Sequence, residues 1–136
     1  MPSRRNILKG SLLASLVALL PSRALGQVSS ASKVRACKRS AIPVGGGKIV
    51  QTSKGSLLIT QPRRGTFRVF SASCTHEGCT VGPFDHTQNA VQGGRVSCPC
   101  HGAQFSASDG SVLRGPARSS LRKFTATIDS TYVYVS

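Results

Sequence analysis

Residues 74–79 read CTHEGC and residues 98–101 read CPCH, and these two segments constrain the chain more than any other part of it. Each offers one close Cys and His pair plus one further Cys. Cys74 and His76 are two apart, so in an extended loop both side chains point the same way. Cys98 and His101 are three apart, and a turn through Pro99 can bring them together while Cys100 points elsewhere. Two such pairs facing each other supply two thiolates and two imidazoles to one centre, with Cys79 and Cys100 left over. A single zinc ion would take the set as a tetrahedral Cys2His2 site. A [2Fe–2S] cluster could instead place two Cys on one iron and two His on the other. Spacing alone does not choose between them.

The flanks of this region are β-like. Short apolar runs alternate with Gly, Pro and Ser punctuation: IPV before GGG, then KIV, then SLLIT before QPRRG, then FRVF. Near the end, KFTATID puts Phe124, Ala126 and Ile128 on one face and Thr125 and Thr127 on the other, and Asp129 and Ser130 turn the chain into TYVYV. That is a hairpin of period two. No helical stripe follows residue 26, and there is no internal repeat. With 136 residues there is room for one small domain, and the expected class is all-β. Residues 71–117 are rich in Cys, His and Gly and poor in apolar runs, so they are expected to form a loop subdomain set into a β framework. A core this small is marginal, and a metal site or a disulfide would strengthen it.

Eighteen Lys and Arg stand against Glu77, Asp85, Asp109 and Asp129. Such an excess favours acidic partners, membrane surfaces or nucleic acid. Here the basic residues are scattered in no long run, which is the pattern of a solvated surface, and no nucleic-acid partner is expected. Residues 3–9, SRRNILK, look like a twin-arginine export signal. The apolar stretch at residues 10–20 ends at Pro21 and is well short of the roughly twenty residues a spanning helix needs. A signal over residues 1–26, cleaved ahead of Gln27, is therefore expected rather than a permanent membrane span. Residues 27–39 are expected to be a flexible leader, most plainly the polar QVSSASK at its start. Export implies an oxidising compartment, the periplasm or another extracytoplasmic space, so disulfides come into play. The twin-arginine route carries proteins already folded around their cofactors, which favours the cluster over zinc.

CTHEGC together with CPCHG resembles the two binding loops of the high-potential, disulfide-containing Rieske iron–sulfur family. The likeness extends over residues 40–136 and includes GPA at residues 115–117, similar to the proline loop that shields the cluster in that family. The resemblance implies an antiparallel β sandwich, one [2Fe–2S] cluster with Cys74 and Cys98 on one iron and His76 and His101 on the other, a Cys79–Cys100 disulfide, and shielding by Gly115 and Pro116. It implies one-electron transfer as a small soluble carrier of the cell envelope, with a redox partner docking at the His76 and His101 edge. The rival partners are a quinol-oxidising cytochrome complex and a molybdenum oxidoreductase such as arsenite oxidase. A zinc-stabilised binding module or redox switch is the reading from another class. Cys37 has no partner among the other cysteines and is read as a free thiol, His86 as a surface residue, Glu77 as a solvated carboxylate, and the GGG at residues 45–47 as a strand turn.

With two ferric ions, two sulfides, two thiolates and two neutral imidazoles the oxidised centre carries no net charge, whereas four thiolates would leave it doubly negative. Adding an electron is easier in the first case, which lifts Rieske potentials to about −150 to +300 mV. In respiratory and photosynthetic members a serine and a tyrosine hydroxyl donate to cluster sulfur. Here those positions are Ala103 and Phe105, so the potential is expected to fall below that of quinol-oxidising relatives. Binding to ferric iron also acidifies the remaining ring N–H of His76 or His101, which links electron uptake to proton uptake. Voltammetry is therefore expected to show a potential that falls as pH rises through the alkaline range. A flat profile from neutral to strongly alkaline pH contradicts this.

Overall fold

The structure is a computed structural model that describes residues 32–136. The twin-arginine segment, the apolar stretch, the cleavage position and residues 27–31 of the leader lie outside the described residues. Ten strands follow in order: β1 Val34–Lys38, β2 Gly47–Thr52, β3 Gly55–Arg63, β4 Thr66–Ser71, β5 Arg95–Ser97, β6 Gln104–Ser106, β7 Val112–Arg114, β8 Lys123–Phe124, β9 Ala126–Ile128 and β10 Tyr132–Val135. They form three antiparallel sheets, ordered β2-β3-β4-β8, β1-β10-β9 and β5-β6-β7. The all-β expectation is borne out, and one short 3-10 turn, Arg39–Ala41, interrupts it. Among the described residues no helix is long and apolar enough to cross a membrane.

The central strand β3 is buried on both faces, because SLLIT puts apolar side chains at successive positions rather than alternate ones. Leu57 and Ile59 point to one side and pack with Ile42, Phe67, Val69, Val133 and Val135. Leu58 points to the other, where it joins Phe70, Val96 and Phe105 in a second apolar cluster that reaches Cys74 and Cys98. Side chains of this size contribute about 1.5–3 kcal/mol each when fully buried. The first side is the sandwich between the β2-β3-β4-β8 and β1-β10-β9 sheets. On the second side sits the subdomain of residues 71–117, which is more than loops, since it carries the β5-β6-β7 sheet. Two buried polar groups stitch these layers: the Thr60 hydroxyl donates to the Ala107 carbonyl at 2.7 Å, and Gln61 Nε2 donates to the Ile42 carbonyl at 2.6 Å.

Three local expectations change. The framework begins at Val34 rather than after residue 39, because β1 pairs Val34 with Val135 and buries part of Ala36 and Cys37 against the sandwich core. The IPV run is not a strand: Ile42 plugs the core while Gly46 N–H bonds back to the Pro43 carbonyl and turns the chain into β2. KFTATID is not one strand either. It breaks at Thr125, so that β8 pairs with β4 and β9 pairs with β10, and one run serves two sheets. The hairpin that follows is present, its turn held by the Asp129 carboxylate, which accepts from the amides of Thr131 at 2.7 Å and Tyr132 at 2.6 Å. Those amides, Tyr132 first, hold the Asp129 carboxyl below its usual range.

Gly110 shows how tightly the subdomain seats. Its φ is +75°, and a Cβ there would lie 2.8 Å from the ring of the buried Phe70. Gly110→Ala is therefore expected to cost about 1–3 kcal/mol by overpacking and backbone strain. Thermal denaturation checks this, and an unchanged melting temperature contradicts it.

Candidate metal centre

The same turn is built twice. In residues 74–79 the Cys74 amide donates to the Cys79 carbonyl at 2.7 Å and the Gly78 amide to the Cys74 carbonyl at 2.8 Å. In residues 98–103 the Cys98 amide donates to the Ala103 carbonyl at 2.7 Å and the Gly102 amide to the Cys98 carbonyl at 3.0 Å. Gly78 and Gly102 occupy the same place in each turn, at φ +75° and +77°, a region that side-chain-bearing residues rarely adopt. The first loop is thus not extended, as its Cys-x-His spacing suggested. Closing hydrogen bonds to a left-handed glycine curl it, and the resulting turn sends Cys74 inward and His76 outward.

Each turn separates its sulfur from its imidazole in the same way. Cys74 and Cys98 are 3% and 2% exposed, members of the apolar cluster under the subdomain, and their thiols meet. His76 and His101 are exposed, with ring centroids 5.1 Å apart and planes nearly perpendicular. Burial pushes the Cys98 thiol up, and the backbone amides of Cys100 and His101, aimed at its sulfur, oppose that. Those amides are what an anionic sulfur needs in a dry setting. The structure therefore brings all four expected side chains to one place, in two layers.

Cys79 and Cys100 form a disulfide that joins the two turns. Its sulfurs lie within 4.8 Å of Cys98 Sγ, so it borders the thiol pair directly. Closing a loop of 21 residues is worth about 3 kcal/mol in the chain-entropy model. A third segment covers the side of the site. Ala117 packs in the same apolar cluster as Cys74 and Cys98, Gly115 and Pro116 stay exposed beside it, and Thr75 Oγ1 donates to the Ser119 carbonyl at 2.6 Å. Ala103 and Phe105 are fully buried in that cluster and bring no hydroxyl to it.

Glu77 is half-exposed, yet Oε2 lies 3.4 Å from His101 Nδ1, so it is more than a solvated carboxylate. The spacing of Glu77 from His76 hid this, because the contact crosses from one loop to the other. Thr75 and Ser119 were missed for the same reason. The repeated glycine four places after Cys74 and Cys98 was the one local signal that the two loops share a turn. Cys37 is half-buried on β1, far from this chemistry in the fold, and burial pushes its thiol up while Lys48 opposes. His86 is partly buried rather than fully on the surface. The GGG at residues 45–47 leads from a turn into β2, as expected.

Two buried thiols, two imidazoles above them and amides directed at sulfur fit a centre that takes sulfur ligands on its inner side and nitrogen on its outer side. The Rieske [2Fe-2S] domain model matches residues 32–125, and the chain belongs to that family. As a member it binds one [2Fe–2S] cluster.

The cytochrome b6-f complex iron-sulfur subunit of Chlorobaculum tepidum is 33% identical over 97 residues, which are 71% of this chain and 49% of that subunit. The corresponding subunit of a Synechococcus is 44% identical over 66 residues, 48% of this chain and 34% of its own length. The match thus spans about half or less of these curated relatives. Among solved structures, the plasma membrane Rieske protein PetC3 of Synechocystis superposes with a TM-score of 0.61 at 28% identity, covering 76% of this chain and 98% of that one. The ferredoxin of Sphingomonas yanoikuyae superposes with a TM-score of 0.62 at 22% identity over 77% and 98%, a likeness of fold.

Proposed function

We propose that the chain is a one-electron carrier of the cell envelope in which Cys74 and Cys98 hold one iron and His76 and His101 the other. The observation that carries this is the unequal burial of the four side chains, sulfur inside and imidazole at the surface. When bound, the cluster accepts and gives up single electrons without group transfer. The protein supplies the setting. Leu58, Val96, Phe105 and Ala117 keep water from the thiolate side. The Cys100 and His101 amides balance charge on the Cys98 sulfur. Ala103 and Phe105 fill space without donating to sulfur, which supports a modest potential. The disulfide holds the two half-sites in register, and the exposed imidazoles provide the edge at which a partner makes contact.

The twin-arginine motif and the Cys79–Cys100 disulfide support a periplasmic or other extracytoplasmic location. PetC3, a plasma membrane Rieske protein, is consistent with a role at the envelope. The redox partner is a protein. A cytochrome complex is the second reading of its identity, favoured by the 33% identity to an iron-sulfur subunit of such a complex.

Single His76→Ala and His101→Ala proteins are expected to lose the iron and the electron paramagnetic resonance signal of the reduced protein. Either variant keeping an unaltered spectrum overturns the ligand assignment. Ala103→Ser combined with Phe105→Tyr is expected to raise the reduction potential measured by voltammetry. No rise removes the account of these two positions.

A further inference from the structure

The histidine edge carries charge that nothing in the fold uses. β7 ends at Arg114, and its register opposite Gln104 puts that arginine at the end of the small sheet from which His101 is only three residues distant. The next residues, 115–117, close the side of the thiol pair through Ala117, and Arg118 follows. Ser119 is then tied to Thr75, the neighbour of His76, by the 2.6 Å hydrogen bond. Two exposed arginines therefore bracket the segment that lies against both histidine-bearing turns.

Among the described residues, neither arginine has a side-chain hydrogen bond or a carboxylate partner, and the sole ion-pair contact is Glu77 with His101. The remaining carboxylates are engaged locally: Asp85 by Thr87, Asp109 by Ser111, and Asp129 by the hairpin turn. Between the arginines the segment is neutral, Gly115, Pro116 and Ala117; Leu113, 49% exposed, precedes it, and Glu77, whose carboxylate faces His101 at 3.4 Å, is the acidic group at this edge.

We infer that this edge is the docking face for an acidic redox protein, with Arg114 and Arg118 as its paired cationic contacts. The inference rests on the electron-carrier reading and adds the chemistry of the partner. A neutral segment flanked by two cations without carboxylate partners suits a transient complex, because charge steers the encounter and orients the two centres. Guanidinium groups meet carboxylates with two hydrogen bonds each, which fixes orientation better than a general positive field. A lipid surface is the less suitable occupant, because recognition of anionic membranes takes a cluster of about four to eight basic residues. The exchange moves one electron from one protein to the other, with no bond made or broken and no co-reactant.

The test compares Arg114→Gln/Arg118→Gln with Arg63→Gln/Arg64→Gln. The second pair removes the same charge at the β3–β4 turn, the end of β4 away from Cys74. Reduced holoprotein, its cluster verified by visible and paramagnetic resonance spectra, is oxidised by anionic hexacyanoferrate(III) and by cationic tris(phenanthroline)cobalt(III). An aspartate decapeptide is titrated calorimetrically into the same proteins at low salt. The edge pair is expected to slow the anionic reaction about threefold or more, to speed the cationic one, and to weaken peptide binding by a similar factor. The distant pair should produce less than half of each effect, and added salt should erase the difference.

Equal effects of the two pairs, or none, overturn the docking face. Binding to phosphatidylglycerol vesicles that only the edge pair abolishes, with peptide binding unchanged, also overturns it and assigns the edge to a membrane. If no preparation carries the cluster spectrum, the carrier reading fails by itself, and the peptide titration still judges the arginines.

Discussion

Strand β3 has no solvent face, and the positions of the other parts are set from it. Its side chains alternate between two apolar clusters, one shared with the β1-β10-β9 sheet and one shared with the subdomain. A strand of this kind gains burial energy only if both layers are in place, so the sandwich and the subdomain support each other rather than folding as independent units. The Thr60 hydroxyl sharpens the point. It sits in the strand's buried stretch and is satisfied by a subdomain carbonyl, so withdrawing the subdomain would leave a buried polar group unpaired.

On that platform the two turns face one another with their sulfurs down and their imidazoles up. The physical consequence is a gradient of environment across a few ångströms. Thiols lie among Leu58, Val96 and Phe105, where charge is costly unless amides offset it, and imidazoles lie in water, where charge and protons move freely. Such a gradient suits a centre that must be retained on one side and addressed on the other. The left-handed glycines and the disulfide maintain it, the first by shaping each turn and the second by fixing one turn against the other.

Family membership narrows the chemistry and leaves the partner to the surface. The chain is similar in sequence to an iron-sulfur subunit of a cytochrome complex and in fold to a ferredoxin, so the fold by itself names no partner. Around the site this chain carries Arg114 and Arg118 on either side of residues 115–117 and Glu77 across from His101, with Ala103 and Phe105 buried below.

Much of this was legible in the chain itself. Cys and His at fixed short spacings are unusual enough to mark a candidate ligand set, and the structure brings the two thiols together and the two imidazoles together. The runs KIV, SLLIT and FRVF declared strands by composition, and Asp129 marked its hairpin by turn chemistry that acts over three residues. Contacts that cross between loops were not legible. The Glu77–His101 approach, the Thr75–Ser119 bond and the pairing of Val34 with Val135 join residues whose separation along the chain carries no information about their distance in space. The break of KFTATID at Thr125 likewise depends on two sheets competing for one strand. Local preference decided which residues could bind and which segments could extend, and tertiary packing decided which side of each turn met water, since burial belongs to the assembled layers and not to any single segment.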